Sequence, residues 1–361
     1  MRKLLILILL LITTCNYIQG QETTETEKEN IGFIGRLIEK YNEIDSAYVE
    51  PPHYNFSAQI TMTYTYDIYQ LKSSDGQSLT LAPSPTVKVG PYFGWRWIFL
   101  GYTFDLKNIG FNLGDLKQEI DLSIYSSKIG IDLYYRRTGS NYKIRDVNLW
   151  KDQSTTTGNL LEGMSFDGLS VGITGFNLYY IFNNKRFSYP AAFSQSTVQK
   201  ISCGSWLSGI GYTRNSLEFD HQKLQQMVEQ YSTMPSAKLD SGLMFNSVKY
   251  YDYSLTGGYA YNWVFARNWL FSASASLGLA YKHTVGDVEQ SKGFRINNFN
   301  FDGIGRFGLV FNNLRWYAGA SAILHGYTYR KSRFSANNVF GYFSAYVGYN
   351  FGLRKEYRKK R

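Results

Sequence analysis

The residues able to do chemistry in this 361-residue chain are few, and their spacing is unhelpful to catalysis. Its four histidines are His53, His221, His283 and His325. A lipid hydrolase working at a membrane rim needs a histidine base beside a serine nucleophile, commonly two residues apart on one strand face. Two residues after these histidines stand Asn55, Lys223, Val285 and Tyr327, so none offers serine at that spacing. The chain is therefore expected not to be an enzyme, with a lipid-modifying hydrolase as the less favoured alternative. His325 shares a polar face with Tyr327 and Tyr329, which suits a hydrogen-bonded interior residue. If Cys15 leaves with a leader, Cys203 is the one remaining thiol, and neither an internal disulfide nor a cysteine zinc site can form. There is no glycine-rich phosphate loop and no metal-ligand helix, so no cofactor is expected.

What remains is charge placed on strands. From Phe56 the pattern has a period of two. Phe56, Ala58, Ile60, Met62, Tyr64, Tyr66 and Ile68 share one face, with Ser57, Gln59, Thr61, Thr63, Thr65 and Asp67 on the other. The C-terminal third repeats it. Tyr253, Leu255, Tyr259, Tyr261, Trp263 and Phe265 alternate with Asp252, Ser254, Thr256 and Asn262, and Trp269–Tyr281 alternates against Ser272, Ser274, Ser276 and Lys282. If the apolar faces meet lipid, Asp67, Glu119, Asp121, Asp132 and Asp252 point inward, with Lys88, Arg136, Arg306 and Arg315 as partners. Unpaired charge in a narrow lumen loses hydration, so these groups should pair. Two outcomes are open: a path for a small solute or proton, or a salt-bridged plug of the kind that fills small barrels.

Twelve strands are expected, near 56–70, 78–91, 95–106, 117–125, 128–137, 165–182, 197–213, 247–265, 269–282, 295–312, 314–329 and 338–353. The apolar phase slips in the second, sixth and seventh, so ten or fourteen strands also fit. Links 71–77, 107–116, 138–164, 214–246, 283–294 and 330–337 alternate with shorter links at 92–94, 126–127, 266–268 and 312–313, and with one long exception at 183–196. Long and short links in alternation are expected of extracellular loops and periplasmic turns, and an even strand count leaves both termini in the periplasm. These strands exceed the five or six residues usual in a soluble sandwich. The fold expected is all-β, an antiparallel transmembrane β-barrel over 56–353.

The flanks fit that location. Residues 1–20 read as a signal peptide: Arg2 and Lys3 precede the apolar run Leu4–Ile12, which is far short of the roughly 20 residues a spanning helix needs. Cleavage after Gly20 would leave Gln21 first; a lipoprotein signal at Cys15 is the rival, with Thr14 bulkier than usual before it. Residues 21–55 read as a periplasmic segment whose Ile31, Ile34, Ile38 and Tyr41 suit one face of a short helix, ended before Pro51 and Pro52. Of the formal charge of +10, Arg2, Lys3 and the tail 354–361 account for all but +3, so nucleic acid is not an expected partner. The tail is expected to be periplasmic, either solvated or against anionic headgroups or cell-wall material. In the loop 214–246, Phe219, Leu224, Met227, Val228 and Tyr231 suit an amphipathic helix that caps the barrel or meets a partner.

Three stretches carry a family resemblance: Tyr48-Val49-Glu50-Pro51, Tyr92–Gly101 and Tyr125–Arg136, with Tyr142-Lys143-Ile144-Arg145 following. They resemble an uncharacterised family of outer-membrane barrels common in Bacteroidetes, catalogued as domain of unknown function 4421. That resemblance implies an integral outer-membrane barrel in contact with membrane lipid and implies no catalytic residue. The last strand, Tyr346–Leu353, looks like the terminal signal read by the barrel-insertion machinery: Gly348, then Phe351, then Leu353. The activity expected is a narrow channel or transport protein; the alternative is an envelope scaffold with a plugged lumen.

Overall fold

The computed structural model describes residues 44–95, 98–101, 104–105, 118–138, 142–149, 161–231, 238–288, 291–330 and 334–358. The chain divides into Met1–Glu43 and Ile44–Arg361. The signal peptide and the helix expected around Ile31–Tyr41 therefore lie outside the described residues.

The described chain is dominated by antiparallel strands. The longest are β14 (Phe245–Ala266), β15 (Trp269–Val288), β16 (Ser291–Asn312), β17 (Trp316–Arg330) and β18 (Phe334–Leu353), each joined to the next as a hairpin. β18 then pairs along its length with β2 (Tyr54–Ser73), from Phe334 opposite Ser73 to Leu353 opposite Tyr54. First and last long strands are thus neighbours, and both ends of the sheet-forming chain lie at the short-turn end. On the other side β14 continues to β13 (Cys203–Phe219), β11 (Leu169–Ile181), β8 (Ile129–Thr138) and β7 (Gln118–Tyr125).

Beyond β2 the sheet forks. The loop half of β2 pairs with β3 (Ser78–Pro83), which leads to β9 (Tyr142–Asn148) and β10 (Ser165–Phe166). Its other half pairs with β4 (Thr86–Trp95), which carries β5 (Ile98–Gly101) and β6 (Phe104–Asp105). The expected closed ring of twelve is corrected: among the described residues the sheet has sixteen strands and is not closed, with β7 at one edge and the two branches of the fork, ending in β10 and in β4–β6, at the other. The extra strands have identifiable causes. Pro83 and Pro85 withhold backbone donors and divide the expected strand 78–91 into β3 and β4. The expected strands 95–106 and 165–182 are each divided in two, and the expected loop 138–164 contains β9. The expected loop 283–294 is mostly strand as well, because β15 runs to Val288 and β16 begins at Ser291.

The alternation that defined the strands sets which face is which. On β14, Tyr253, Leu255, Tyr259, Tyr261, Trp263 and Phe265 are exposed, whereas Asp252, Ala260 and Asn262 are buried. The same inversion holds on β15 and β16, where Leu277, Phe299 and Phe301 are exposed beside buried Lys282, Asn300 and Asp302. An apolar exterior of this extent is unstable in water and suits lipid contact, with the buried polar row facing inward. Close contact on the inner face also constrains residue size. A Cβ on Gly348 would lie 2.1 Å from the Tyr317 ring, so only glycine admits that inward-facing tyrosine.

The interior is filled in three layers. At the loop end, buried Leu71, Leu79, Phe166, Leu217, Phe219 and Phe245 form one apolar core with α2 (His221–Tyr231), which inserts Leu224 and Val228. The amphipathic helix expected within 214–246 is therefore present, although Phe219 belongs to β13. At the short-turn end, the link after β11 turns inward instead of lying along the rim. It holds α1 (Tyr189–Phe193) and β12 (Val198–Gln199), and β12 pairs with β1 (Val49–Glu50). Residues expected to begin a strand at 197 thus belong to this inserted segment, and β13 starts later. A short helix, α3 (Lys355–Arg358), follows β18. The third layer, between the other two, is polar and charged.

Candidate functional site

The middle layer is assembled from inward positions on strands far apart in sequence. Asp252 on β14 is the direct cross-strand neighbour of Lys282 on β15. The Lys282 ammonium lies 3.4 Å from Asp252 Oδ2 and 3.2 Å from Asp302 Oδ1 on β16. All three side chains are almost wholly withdrawn from solvent, Lys282 at 0%, Asp252 at 2% and Asp302 at 5% exposure. Asn215 on β13 donates to Asp252 Oδ2 at 3.2 Å. The Tyr250 and Tyr327 rings lie 5.7 and 5.6 Å from the ammonium, so aromatic faces cover it on the sides the carboxylates leave open.

A second pair crosses the interior. The Arg306 guanidinium on β16 donates to Asp132 Oδ2 on β8, and its carbon stands 5.0 Å from the Tyr179 ring centre. A third cation, Arg136, lies 4.9 Å over Phe340 of β18. Tyr134 of β8 hydrogen-bonds to both Thr213 of β13 and Tyr327 of β17. These contacts from β8 to β13, β16, β17 and β18 show that the sheet curls until its opposite walls touch.

His325 is part of that packing. It is buried, stacks on Phe340 with ring centres 4.9 Å apart, and lies 6.2 Å from the Tyr327 ring. Its inward placement agrees with the alternation, but its contacts are aromatic: Nδ1 has no hydrogen-bond partner in the structure. The remaining histidines are spread out, with His53 stacked on Tyr357 at one end and His221 against the Phe245 carbonyl at the other. Among the described residues no group of three or more His, Cys, Asp or Glu is arranged to hold a metal ion.

Of the charged residues expected inside, Asp67, Asp132, Arg136, Asp252 and Arg306 are buried in the interior. Lys88 is half-buried on β4, in register with Asp105 of β6. The side chains of Glu119 and Asp121 lie outside the described residues, although their backbones belong to β7. Arg315 is a correction. It is exposed in the β16–β17 turn, where its Nε donates to Tyr349 Oη at 2.9 Å, because Asn313 and Leu314 reverse the chain before it. Lys282 and Asp302 are the central charges that the expected cluster omitted. Lys282 was visible as the lone cation on the Ser272-Ser274-Ser276 face, and Asp302 as the acid between Phe301 and Gly303.

The inserted segment closes the layer from the short-turn end through apolar packing of Phe187, Tyr189, Ala191 and Ala192 and through hydrogen bonds. Gln199 is its hub: Oε1 accepts from the Ser188 amide at 2.9 Å and from Asn262 Nδ2 at 3.1 Å. Its Nε2 donates to the carbonyls of Arg186 at 2.7 Å and Ile201 at 2.9 Å. Tyr189 donates to Ser274 of β15 at 2.8 Å, and Gln195 to Tyr346 of β18 at 2.6 Å. Ser188 caps α1, so the helix is fixed where it enters. The preceding chain straps the segment from outside: Glu50 binds Lys200 at 3.1 Å and His53 at 2.9 Å. Partial burial would raise the Glu50 carboxyl, but those two partners together hold it below the usual carboxylate range.

The sequence profile of the family described as Domain of unknown function (DUF4421) matches residues 43–351. No curated protein has a detectably similar sequence. Among solved structures, the outer membrane protease OmpT from Escherichia coli aligns at 8% identity, over 82% of this chain and 97% of that chain, with a TM-score of 0.39. The translocator domain of the autotransporter NalP from Neisseria meningitidis aligns at 8% identity, over 82% and 88%, with a TM-score of 0.33. The Pseudomonas putida toluene transporter TodX aligns at 9% identity, over 83% and 91%, with a TM-score of 0.22. Overlap this slight has no bearing on activity.

Proposed function

This chain belongs to the DUF4421 family, and on that premise we propose that it is an integral outer-membrane β-barrel whose interior is closed at rest, serving the envelope as a structural or scaffold protein. The observation that carries this reading is the burial of Lys282 between Asp252 and Asp302, with a packed apolar core on one side and a hydrogen-bonded inserted segment on the other. A conducting path would have to hydrate those charges, and in the structure they are paired with one another beside aromatic rings. The proposal places the short-turn end and both termini in the periplasm and the α2 end outside, with the last strand engaging the barrel-insertion machinery. It assigns no catalysis: His325 is surrounded by Tyr134, Tyr327 and Phe340.

Liposome swelling tests it. Vesicles holding the folded protein should swell in small sugars and amino acids no faster than empty vesicles. Swelling that scales with protein content would contradict the closed interior. It would favour a narrow solute channel, a reading that rests on the inward charges and requires the inserted segment to move.

A further inference from the structure

The short-turn rim carries a feature that a closed interior does not use. Arg267 occupies the β14–β15 turn, Arg315 the β16–β17 turn, and Arg354, Lys355 and Arg358 follow β18. These positions are consecutive along the rim, because β14 to β18 pair in order and each hairpin is two strands, roughly 10 Å, from the next. Arg267 and Arg315 are exposed and have no carboxylate partner among the described residues. Of the rim's acids, Asp45 and Glu50 are engaged with Arg186 and Lys200, and Glu356 stands in α3 between Lys355 and Arg358, away from Arg267 and Arg315 in the sequence.

Each of the two arginines is bracketed by aromatics on the lipid-facing side. Arg267 stands between Phe265 and Trp269, both exposed, whose rings are 6.1 Å apart. Arg315 lies 5.4 Å from the Tyr349 ring, which packs against exposed Trp316 at 4.6 Å. A guanidinium anchored on a ring at the edge of an apolar belt is held at headgroup depth. A soluble polyanion would need the cations but not the rings. At the opposite end, by contrast, exposed Lys223 beside α2 is paired with Asp167.

We propose that this rim is a binding collar for anionic glycerophospholipid, with the Arg267 and Arg315 guanidiniums on lipid phosphates and Trp269, Trp316 and Tyr349 against the glycerol and upper acyl region. The collar rests on the membrane-barrel reading and adds a lipid class and a leaflet to it. A basic residue near an anionic surface contributes on the order of fivefold in lipid association, and the contribution is screened by salt.

The test uses the full-length protein folded into vesicles of phosphatidylcholine, with or without a fraction of phosphatidylglycerol, and reads the unfolding midpoint from heat-modifiable gel migration. The midpoint should be higher with phosphatidylglycerol at low salt, and high salt should abolish the gain. Arg267→Gln with Arg315→Gln should remove at least half of it. Lys72→Gln, at an exposed position of the far end, should retain the gain. A wild-type midpoint indifferent to phosphatidylglycerol overturns the collar, and so does an equal loss from Lys72→Gln. Failure to insert into either vesicle would instead overturn the membrane-barrel reading. Should the double variant not fold, the salt and lipid dependence of the wild type decides alone.

Discussion

The two ends of the interior are closed by the same forces in different proportion: a large apolar core with a Gln77 hub at the loop end, and smaller apolar clusters with a denser hydrogen-bond network at the short-turn end. At the loop end, α2 and the strand tips bury leucine, valine and phenylalanine against one another, with Leu224 and Val228 reaching the centre of the core. At the short-turn end, residues 183–202 enter the interior, bury Phe187, Tyr189, Ala191 and Ala192 in two smaller apolar clusters, and are also tied down by amides and hydroxyls: Gln199, Asn262, Gln195, Tyr189 and Ser188. Apolar burial is non-directional and forgiving, whereas a buried amide hub is lost as a unit once one partner goes. The first closure has the larger apolar core. The second has the character of a latch, and the charged layer between them holds opposite walls together.

The largest effect should come from that layer. Lys282→Met leaves Asp252 and Asp302 facing each other without their cation, a loss of about 3–5 kcal/mol by analogy with broken buried ion pairs. Unfolding of the vesicle-inserted protein in denaturant reads it directly. Adding Asp252→Asn and Asp302→Asn should recover much of the loss; no recovery would mean Lys282 acts through packing. Next, Leu224→Ala should cost about 2–5 kcal/mol in the loop-end core and expose α2 to protease while the short-turn segment stays protected. Protection lost at both ends at once would break the contrast between them.

Gln199→Ala should cost less, about 1–3 kcal/mol, because it leaves the Ser188 amide without its acceptor and Asn262 with one of its two. Its signature should be protease access confined to 183–202. The smallest effect concerns the strap. Because its partners hold the Glu50 carboxyl below its unfolded value, its contribution to stability is present above the unfolded pKa and lost as pH falls through the lowered folded one. Glu50→Gln should therefore flatten the acid limb of the pH–stability curve and change little at neutral pH; an unchanged acid limb would show that the strap adds nothing.

How much of this was legible in the sequence depends on how local the cause was. The period of two identified the exposed belt on β14–β16 and the inward row containing Asp252, because facing is a local property of a strand. Trp263 and Asn262 are adjacent in sequence and were correctly assigned to opposite faces. The α2 helix was visible in the spacing of Leu224 and Val228. The fork beyond β2 was not, since which strand β3 adds to is decided by β9, far along the chain, once Pro83 and Pro85 have broken the run. The inward turn of 183–202 was equally hidden: its sequence is that of an ordinary long link, and only the receiving residues Ser274, Asn262 and Tyr346 explain why it enters. Arg315 was misplaced by a turn, where one residue decides between interior and rim, while Lys282 lay on the correct face without Asp302 to mark it.

Conductance across a planar bilayer tests the closed interior most directly. The refolded wild-type protein, shown to be inserted by its heat-modifiable migration, should give no stepwise current, and Gln199→Ala should give brief openings as the inserted segment loosens. Steady current steps from the wild type, lost or altered in Arg306→Ala, would contradict the account and establish a channel through the charged layer.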